Sequence, residues 1–320
     1  MKERIYVIRT KNLTKDYTVK GHSSYHAVDH VDLAVPEGTV YGFLGPNGAG
    51  KSTTMKMLLG LIKPTGGDIT VLGTAFATDG RKTVDEKERL AILRQTGSLI
   101  ETPSYYGHLT GRENLQILCR LKNVPESEIQ EVLSLVRMEK QQDKKAGQYS
   151  LGMKQRLGLA GALIGNPKLL LLDEPTNGLD PAGIQEMREL IRTLPQNRHI
   201  TVMVSSHLLS EIDQMVDYVG VINKGQLIYQ NSLLRLHEHS KKELCLRTTN
   251  NNRALCLLQE NQIACKVEQD ILRFPETEDK QTAFLMSALV REGIGILRLW
   301  EQQKSLEDIF LSLTGKRVSL

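Results

Sequence analysis

A glycine-rich loop between an apolar strand and a helix is the feature that most constrains this chain. The run Thr39 to Leu44 is short and apolar, the loop Gly45 to Thr53 has the pattern G-x-x-x-x-G-K-[ST], and Thr54 to Leu61 has helical spacing. A phosphate-binding loop requires this order, because glycines let backbone N–H groups turn inward around phosphate oxygens. A glycine-rich turn that matches by chance is the alternative, and the flanking strand and helix disfavour it.

The residue types of this loop predict that it binds a nucleoside triphosphate together with a magnesium ion. Lys51 is expected to reach the β- and γ-phosphates, and Ser52 is expected to ligate Mg²⁺. The remaining expected contacts to the nucleotide come from Gly45, Pro46, Asn47, Gly48, Ala49, Gly50 and Thr53.

A second motif is an apolar strand that ends in two acids. Residues Lys168 to Pro175 have the sequence KLLLLDEP. In an open α/β sheet, a strand end of this kind lies at the carboxyl edge, where ligands bind. We expect Asp173 to hold Mg²⁺ through water and Glu174 to polarise the attacking water as general base. An acidic turn without chemistry is the alternative, which the phosphate loop disfavours, so the two motifs together predict a P-loop nucleotide hydrolase.

A third motif indicates which class of P-loop nucleotide hydrolase this chain resembles. The segment Tyr149 to Arg156, YSLGMKQR, opens a helix just before the acidic strand. From here the chain resembles the ATP-binding subunit of ABC transporters, over roughly residues 4 to 230 and in the family's motif order. The resemblance implies that Ser150 and Gly152 bind the γ-phosphate of ATP held by the opposite subunit. On residue type alone, a plain helix N-cap without a ligand is the commoner case for a serine at this position.

This signature segment departs from the usual family pattern at three positions. Tyr149 stands where the family usually has Leu, Leu151 where it often has Gly, and Met153 where it often has Gln. These positions flank the expected phosphate contact, so the departures bear on affinity and dimer packing more than on the role of Ser150.

Two further motifs of the family follow the acidic strand. Asn177 to Asp180 matches the D-loop, which in the family contacts the partner subunit, although Asp180 before Pro181 also fits a simple helix cap. His207 matches the family's switch histidine, which contacts the γ-phosphate and helps to position Glu174. A structural histidine is the alternative at this strand end.

An aromatic residue near the N-terminus is expected to stack on adenine. Tyr17 lies where the family places this residue, and stacking of this kind gives affinity without strict base selectivity. Tyr25 competes for the role, because the segment Thr18 to His26 is longer than usual. An ordinary surface tyrosine is the third possibility.

Glutamate at position 101 is the most informative departure. Glu101 stands where most of the family has the Q-loop glutamine, which contacts Mg²⁺ and the attacking water and leads into the helical subdomain. Glutamate adds a charge and ligates Mg²⁺ without offering a donor N–H. Glutamate at this position resembles the pattern of the bacitracin- and lantibiotic-transport branch, where it recurs. The segments Gly107 to Leu115 and Leu306 to Gly315 are similar to that branch too. A tolerated exchange or an exposed loop acid is the alternative to our hypothesis that Glu101 couples Mg-ATP to a transmembrane partner.

Apolar strands alternate with helices along most of the chain, which predicts an α/β core with parallel strands. The expected fold is a P-loop ABC ATPase core over residues 1–235, with a helical subdomain inserted at about 102–165. A small α+β accessory domain is expected over residues 240–320, with a last helix at 305–313.

Composition excludes several other classes. Lys and Arg total 41 against 37 Asp and Glu, a net charge of +4 on 320 residues, which argues against binding nucleic acid through bulk charge. No apolar run reaches the roughly 20 residues of a spanning helix, and no signal peptide is evident. The four cysteines form no CxxC pair, so a zinc ribbon or disulfide framework is disfavoured, as is a metal site at His237 to His239.

These observations predict an ATPase subunit of an ABC exporter at the cytoplasmic face of the bacterial membrane. Two copies are expected to sandwich two ATP molecules, with separate transmembrane permease subunits following their motion. The resemblance further implies export of, or immunity to, a peptide antibiotic. An importer, an exporter of another substrate and, less favoured, a soluble ABC ATPase remain alternatives.

Overall fold

The computed structural model describes residues 5–18, 25–78, 82–83, 85–208, 212–238 and 242–303. The chain divides into two compact units, Met1–Leu233 and Leu234–Leu320. No helix among the described residues is both long and apolar enough to cross a membrane.

The first unit is built around a mainly parallel sheet. Its strands are β4 (Val40–Leu44), β8 (Thr96–Leu99), β9 (Leu169–Asp173), β10 (Thr201–Ser206), β11 (Tyr218–Asn223) and β12 (Gln226–Ser232). Their order is β12-β11-β4-β10-β9-β8, and only β12 is antiparallel to its neighbour. Every residue of β4, β9 and β10 is buried, as expected for strands covered on both faces. The carboxyl ends of β4, β8, β9 and β10 therefore meet at one edge, which confirms the predicted α/β architecture.

A second, antiparallel sheet lies in the same unit. It contains β1 (Tyr6–Tyr17), β2 (Tyr25–Val31), β3 (Ala34–Pro36), β5 (Gly66–Val71), β6 (Thr74–Thr78) and β7 (Lys82–Thr83). The alternating sequence Val-Asp-Leu-Ala-Val predicts one strand over Val31 to Val35, and this is wrong, because β2 ends at Val31 and β3 begins at Ala34. The Thr10 hydroxyl donates to the Val31 carbonyl at 2.7 Å and accepts from the Leu33 N–H at 2.8 Å, so it occupies backbone groups on both sides of the break.

The helices of the first unit are α1 (Lys51–Leu58), α2 (Glu86–Arg94), α3 (Gly111–Lys122), α4 (Glu128–Leu135), α5 (Leu151–Leu163) and α6 (Pro181–Arg198). Helices α3 to α5 and two 3-10 turns make up the helical insertion. Helical periodicity over Arg81 to Arg94 predicts a helix, but α2 begins only at Glu86, because Lys82–Thr83 pairs with β6 and Asp85 is the N-cap residue. The spacing of Leu208 to Val216 also predicts a helix, and residues 209–211 of this segment lie outside the described part.

The second unit is an α+β sandwich. Helix α7 (Leu233–Glu238) leads into β13 (Lys242–Thr248), α8 (Asn251–Glu260), β14 (Lys266–Glu268), β15 (Ile271–Pro275), α9 (Asp279–Arg291) and β16 (Ile296–Gln303). The antiparallel sheet has the order β14-β15-β13-β16, and its leucines pack against those of α8 and α9. The predicted helix 305–313 and the segment Leu306 to Gly315 lie outside the described residues.

Candidate functional site

The phosphate loop lies between one strand of the antiparallel sheet and one strand of the parallel sheet. Gly50 has φ +109°, and a Cβ there would lie 2.4 Å from the carbonyl oxygen of Ala27 in β2. A Cβ on Gly45 would lie 2.4 Å from the carbonyl oxygen of Ile222 in β11. Both positions therefore require glycine, and the loop has little room to move. Its last residues already belong to α1, which begins at Lys51, three residues earlier than the sequence spacing predicted.

Lys51 is the cation of this loop, and its side chain is only 5% exposed. Its Nζ donates to the carbonyl of Gly45 at 2.7 Å and to that of Pro46 at 3.3 Å. The same Nζ lies 3.3 Å from Oε1 of Glu174. A buried ammonium needs such partners, and they hold its charge between the loop and the end of β9.

The two acids at the end of β9 have different surroundings. Asp173 is buried, and its Oδ1 accepts a hydrogen bond from Oγ of Ser205 at 2.5 Å. The same hydroxyl oxygen accepts from the backbone N–H of Glu174 at 2.9 Å. Glu174 has φ +48°, a left-handed conformation that a glutamate rarely adopts and that the surrounding structure must enforce. Sequence reasoning missed Ser205, although a polar residue near the end of the adjacent apolar strand was the available signal.

His207 completes the group at the sheet edge. Strands β9 and β10 are parallel neighbours, with Ser205 opposite Asp173, so the residues that follow them emerge side by side. Nδ1 of His207 lies 2.7 Å from Oε2 of Glu174. The structure therefore brings Nζ of Lys51 and Nδ1 of His207 to the two oxygens of the Glu174 carboxylate.

Glu101 lies just beyond the carboxyl end of β8, which is the outermost strand next to β9 in the parallel sheet. Its backbone has φ +61°, and its side chain is 64% exposed. The carboxylate pairs with Nζ of Lys56 in α1. Lys56 stands four residues after Ser52, so the two side chains share one face of the helix. Sequence reasoning missed Lys56, and this helical spacing was the signal that could have found it.

The donor set at this edge fits a magnesium ion by its chemistry. The carboxylates of Asp173 and Glu101 and the hydroxyl of Ser52 supply the hard oxygen ligands that Mg²⁺ prefers. Asp173 is the last residue of β9, Glu101 follows the end of β8 by two residues, and Ser52 is the second residue of α1, after the loop that follows β4. Among the described residues, no cluster of three His, Cys, Asp or Glu side chains forms a metal cage by itself.

The signature segment and the D-loop each begin a helix. Ser150 caps α5, with its Oγ accepting from the N–H of Met153 at 3.3 Å. Asp180 caps α6, with its Oδ1 accepting from the N–H of Gly183 at 3.1 Å. Gly152 is half-buried in the first turn of α5. Within one copy these contacts are the ones a cap makes, while Ser150 and Asp180 remain exposed to a second molecule.

Tyr149, the first departure in the signature, lies in the interior. Its hydroxyl donates to the carbonyl of Gln141 at 2.6 Å, and burial raises the pKa of its phenol. It therefore anchors the start of α5 to the 3-10 turn Glu139–Gln141 within the helical insertion.

The two candidate tyrosines for base stacking contact each other. Tyr17 in β1 and Tyr25 in β2 are register partners, and their rings stack with centroids 5.8 Å apart and planes 25° from parallel. Tyr25 is 55% exposed, and Nζ of Lys15 lies 5.1 Å from the Tyr17 centroid. The structure does not separate the two candidates but makes them one aromatic pair.

Comparison with known proteins places this geometry in a wider context. Residues 28–177 match the family described as ABC transporter. The chain is 43% identical over 312 residues to the bacitracin transport ATP-binding protein BcrA of Bacillus licheniformis, covering 97% of each chain. It is 40% identical over 224 residues to the lantibiotic transport ATP-binding protein SrtF of Streptococcus pyogenes, covering 70% of this chain and 90% of that one. The solved dimer of MJ0796, a bacterial ABC transporter cassette, matches 71% of this chain and 98% of its own, at 26% identity and a TM-score of 0.64.

Proposed function

The chain belongs to the ABC transporter family and is an ATP-binding ATPase, and on that premise we propose that it powers export of, or resistance to, a peptide antibiotic. The similarity to BcrA extends over both units of the chain, and SrtF is a second relative whose name refers to a peptide antibiotic. Residues 1–235 are the ATP-binding domain in this proposal, and residues 240–320 are a small α+β accessory domain.

The active form in this proposal is a dimer of two copies around two ATP molecules. Each phosphate loop faces Ser150 and Gly152 of the opposite copy, and Asp180 lies at the same interface. The exposure of Ser150 at the N-terminus of α5 supports this arrangement, because a helix N-terminus with a free hydroxyl favours an anion. MJ0796 is a dimeric cassette in its solved structures, including one with ADP and phosphate.

The observation that carries the chemical proposal is the position of Glu174 between Lys51 and His207. Glu174 is the general base that accepts a proton from the attacking water, and His207 holds its carboxylate in place. Lys51 offers positive charge to the β- and γ-phosphates. The reaction is phosphoryl transfer to water, which such sites accelerate by positioning and electrostatic stabilisation.

Ser52, Asp173 and Glu101 are the residues that would hold Mg²⁺ with the nucleotide. The ion would supply neutralisation of charge on the phosphate oxygens. Ser205 keeps Asp173 and the backbone of Glu174 in fixed relation through its hydroxyl. Tyr17 and Tyr25 supply the aromatic surface for adenine.

In this proposal the transporter also contains separate transmembrane subunits. The chain itself is a peripheral protein at the cytoplasmic face of the bacterial membrane. Glu101 joins the nucleotide site to the helical insertion, because the chain runs from Glu101 directly into the segment that leads to α3. Closure of the dimer is thereby transmitted to the permease.

The test is purification of the complex from detergent-treated membranes, with identification of the copurifying chains. Bacitracin and a lantibiotic are then added separately, and ATP hydrolysis is measured against the Glu174→Gln complex as control. Stimulation by one of these peptides, with a permease of several membrane helices copurifying, supports the proposal. Copurification of a solute-binding protein favours import, and the absence of any membrane chain favours a soluble ATPase.

A further inference from the structure

Two short segments that precede neighbouring helices pack against each other through leucine and glycine. The signature segment, residues 150–153, begins α5, and the D-loop, residues 177–180, begins α6. A Cβ on Gly178 would lie 2.6 Å from Cδ2 of Leu151. A Cβ on Gly152 would lie 3.5 Å from Cδ2 of Leu179. Each leucine therefore lies over the glycine of the other segment, and we call this arrangement the Leu–Gly interlock.

A Cβ at position 178 would displace the side chain of Leu151, because 2.6 Å is far below the 3.5–4.0 Å at which carbon atoms attract each other. Gly178 also has φ +76°, which itself favours glycine. The contact at Gly152 is an ordinary van der Waals distance, so the tight side of the interlock is the one made by Leu151.

Burial in the core does not account for leucine at position 151. Its side chain is 50% exposed, and the D-loop glycine is the close neighbour that its Cδ2 approaches. The family that this chain resembles often has glycine at this position. Glycine here would remove the side chain that covers Gly178. The departure from the family pattern therefore corresponds to a definite contact within the chain.

The interlock sets the relative position of two exposed helix caps. Ser150 lies directly before Leu151 and caps α5, while Asp180 lies directly after Leu179 and caps α6. Each cap residue is the chain neighbour of an interlocked leucine, so a shift of one N-terminus relative to the other changes the packing between the leucines and glycines.

We propose that Leu151 is a positioning residue that fixes the signature segment and the D-loop as one rigid surface for the nucleotide and the D-loop contacts of the opposite copy. This inference rests on the proposed dimer. It assigns a role to a residue that touches neither the phosphate loop nor Glu174 of its own copy, and it makes leucine at 151 dependent on glycine at 178.

The test measures ATP-driven dimerisation of the full chain in a Glu174→Gln background, by analytical ultracentrifugation with Mg-ATP. Nucleotide affinity of the monomer is measured separately with a fluorescent ATP analogue at low protein concentration. Leu151→Gly is expected to weaken dimerisation about tenfold and to change monomer affinity by less than about twofold. Leu151→Met, which keeps side-chain volume, is the matched control and is expected to dimerise like the parent.

A second pair of variants separates the interlock from direct contact with the opposite copy. Gly178→Ala is expected to weaken dimerisation, because its Cβ displaces the side chain of Leu151 and because φ +76° strains an alanine. Adding Leu151→Ala to Gly178→Ala is expected to recover part of that loss, since the collision is removed. Thermal unfolding of each variant identifies any that fails to fold, and the comparison of Leu151→Gly with Leu151→Met stands without the Gly178 variants.

The outcomes separate this inference from the function on which it rests. If the Glu174→Gln parent stays monomeric with Mg-ATP, the proposed dimer itself is wrong. If the parent dimerises and Leu151→Gly does so equally well, the positioning role of Leu151 is overturned. Additive losses in the Leu151→Ala/Gly178→Ala protein also overturn it, because Leu151 would then act without the D-loop.

Discussion

Oε2 of Glu174 lies 2.7 Å from Nδ1 of His207, and its other oxygen lies 3.3 Å from Nζ of Lys51. The carboxylate is thus held from both sides at the edge where β9 and β10 end. A general base must be fixed in this way to meet a water in line with the phosphate.

Glu174→Gln is expected to lower the rate of ATP hydrolysis about 10²- to 10⁴-fold, the usual contribution of a general base. The amide keeps the shape of the side chain but does not accept a proton from water. ATP affinity, measured by equilibrium binding, should change little. Hydrolysis at the normal rate would disprove the assignment.

His207 is expected to act through Glu174 and not independently. His207→Ala should reduce hydrolysis in the parent chain, while adding it to Glu174→Gln should cause little further loss. Steady-state rates of the two single variants and the double variant measure this coupling. Fully additive losses would show that His207 has a separate chemical role.

Ser205→Ala is expected to reduce both stability and hydrolysis. Its hydroxyl joins Oδ1 of Asp173 to the N–H of Glu174, so alanine leaves two buried groups without this partner. A loss of about 1–3 kcal/mol in the free energy of unfolding is expected. Denaturant unfolding measures it, and Ser98→Ala at an exposed position of β8 is the matched control, expected to remain within about 0.5 kcal/mol. Equal behaviour of the two variants would contradict the bridging role.

The sequence predicted the elements that depend on neighbouring residues. Three of these are local patterns: the phosphate loop, the acidic strand end and the histidine after β10. The alternation of strands and helices predicted the fold class, which the structure confirmed. Ser205 and Lys56 escaped prediction because their partners are 32 and 45 residues away, and register or side-chain reach decides such contacts. The break between β2 and β3 escaped for the same reason, since the Thr10 side chain makes it.

Glu101→Gln is expected to change coupling more than ATP affinity. The variant removes a charge and the pairing with Lys56, but an exposed ion pair contributes only about 0–1 kcal/mol to stability. We therefore expect a folded ATPase whose transport or resistance activity is altered in the reconstituted complex. Lys56→Met is the companion variant, because it breaks the same pair and keeps Glu101. Unchanged resistance with Glu101→Gln would refute the coupling hypothesis.

The stacked tyrosines are expected to contribute to binding the base and not the phosphates. Tyr17→Ala and Tyr25→Ala should each weaken ATP binding, by about five- to 150-fold, because stacking on an aromatic ring contributes roughly 1–3 kcal/mol per base. Tripolyphosphate carries no base, and its affinity should stay unchanged. Calorimetry with both ligands makes the comparison, and the exposed Tyr106→Ala serves as control. An equal effect on both ligands would exclude base stacking, and the larger single effect identifies the main platform.

The capping box of α3 predicts a pH-dependent difference in stability. The Thr110 hydroxyl accepts from the N–H of Glu113 at 3.1 Å, and the Thr110 N–H donates to the Glu113 carboxylate at 2.7 Å. The backbone hydrogen bond and then the side-chain bond from Thr110 lower the pKa of Glu113 below its ordinary value of 4.5. A carboxylate with a lowered folded-state pKa stabilises the helix fully above its unfolded pKa, and this contribution disappears as pH falls through the folded value. Glu113→Gln has no charge to lose, so its deficit relative to the parent should be constant above about pH 5 and shrink below the ordinary pKa. Hydrogen exchange of the peptide containing the first turn of α3, compared between parent and variant at each pH, measures the deficit. Thr110→Ser keeps both bonds and should follow the parent, whereas a deficit that grows toward acid pH would contradict the lowered pKa.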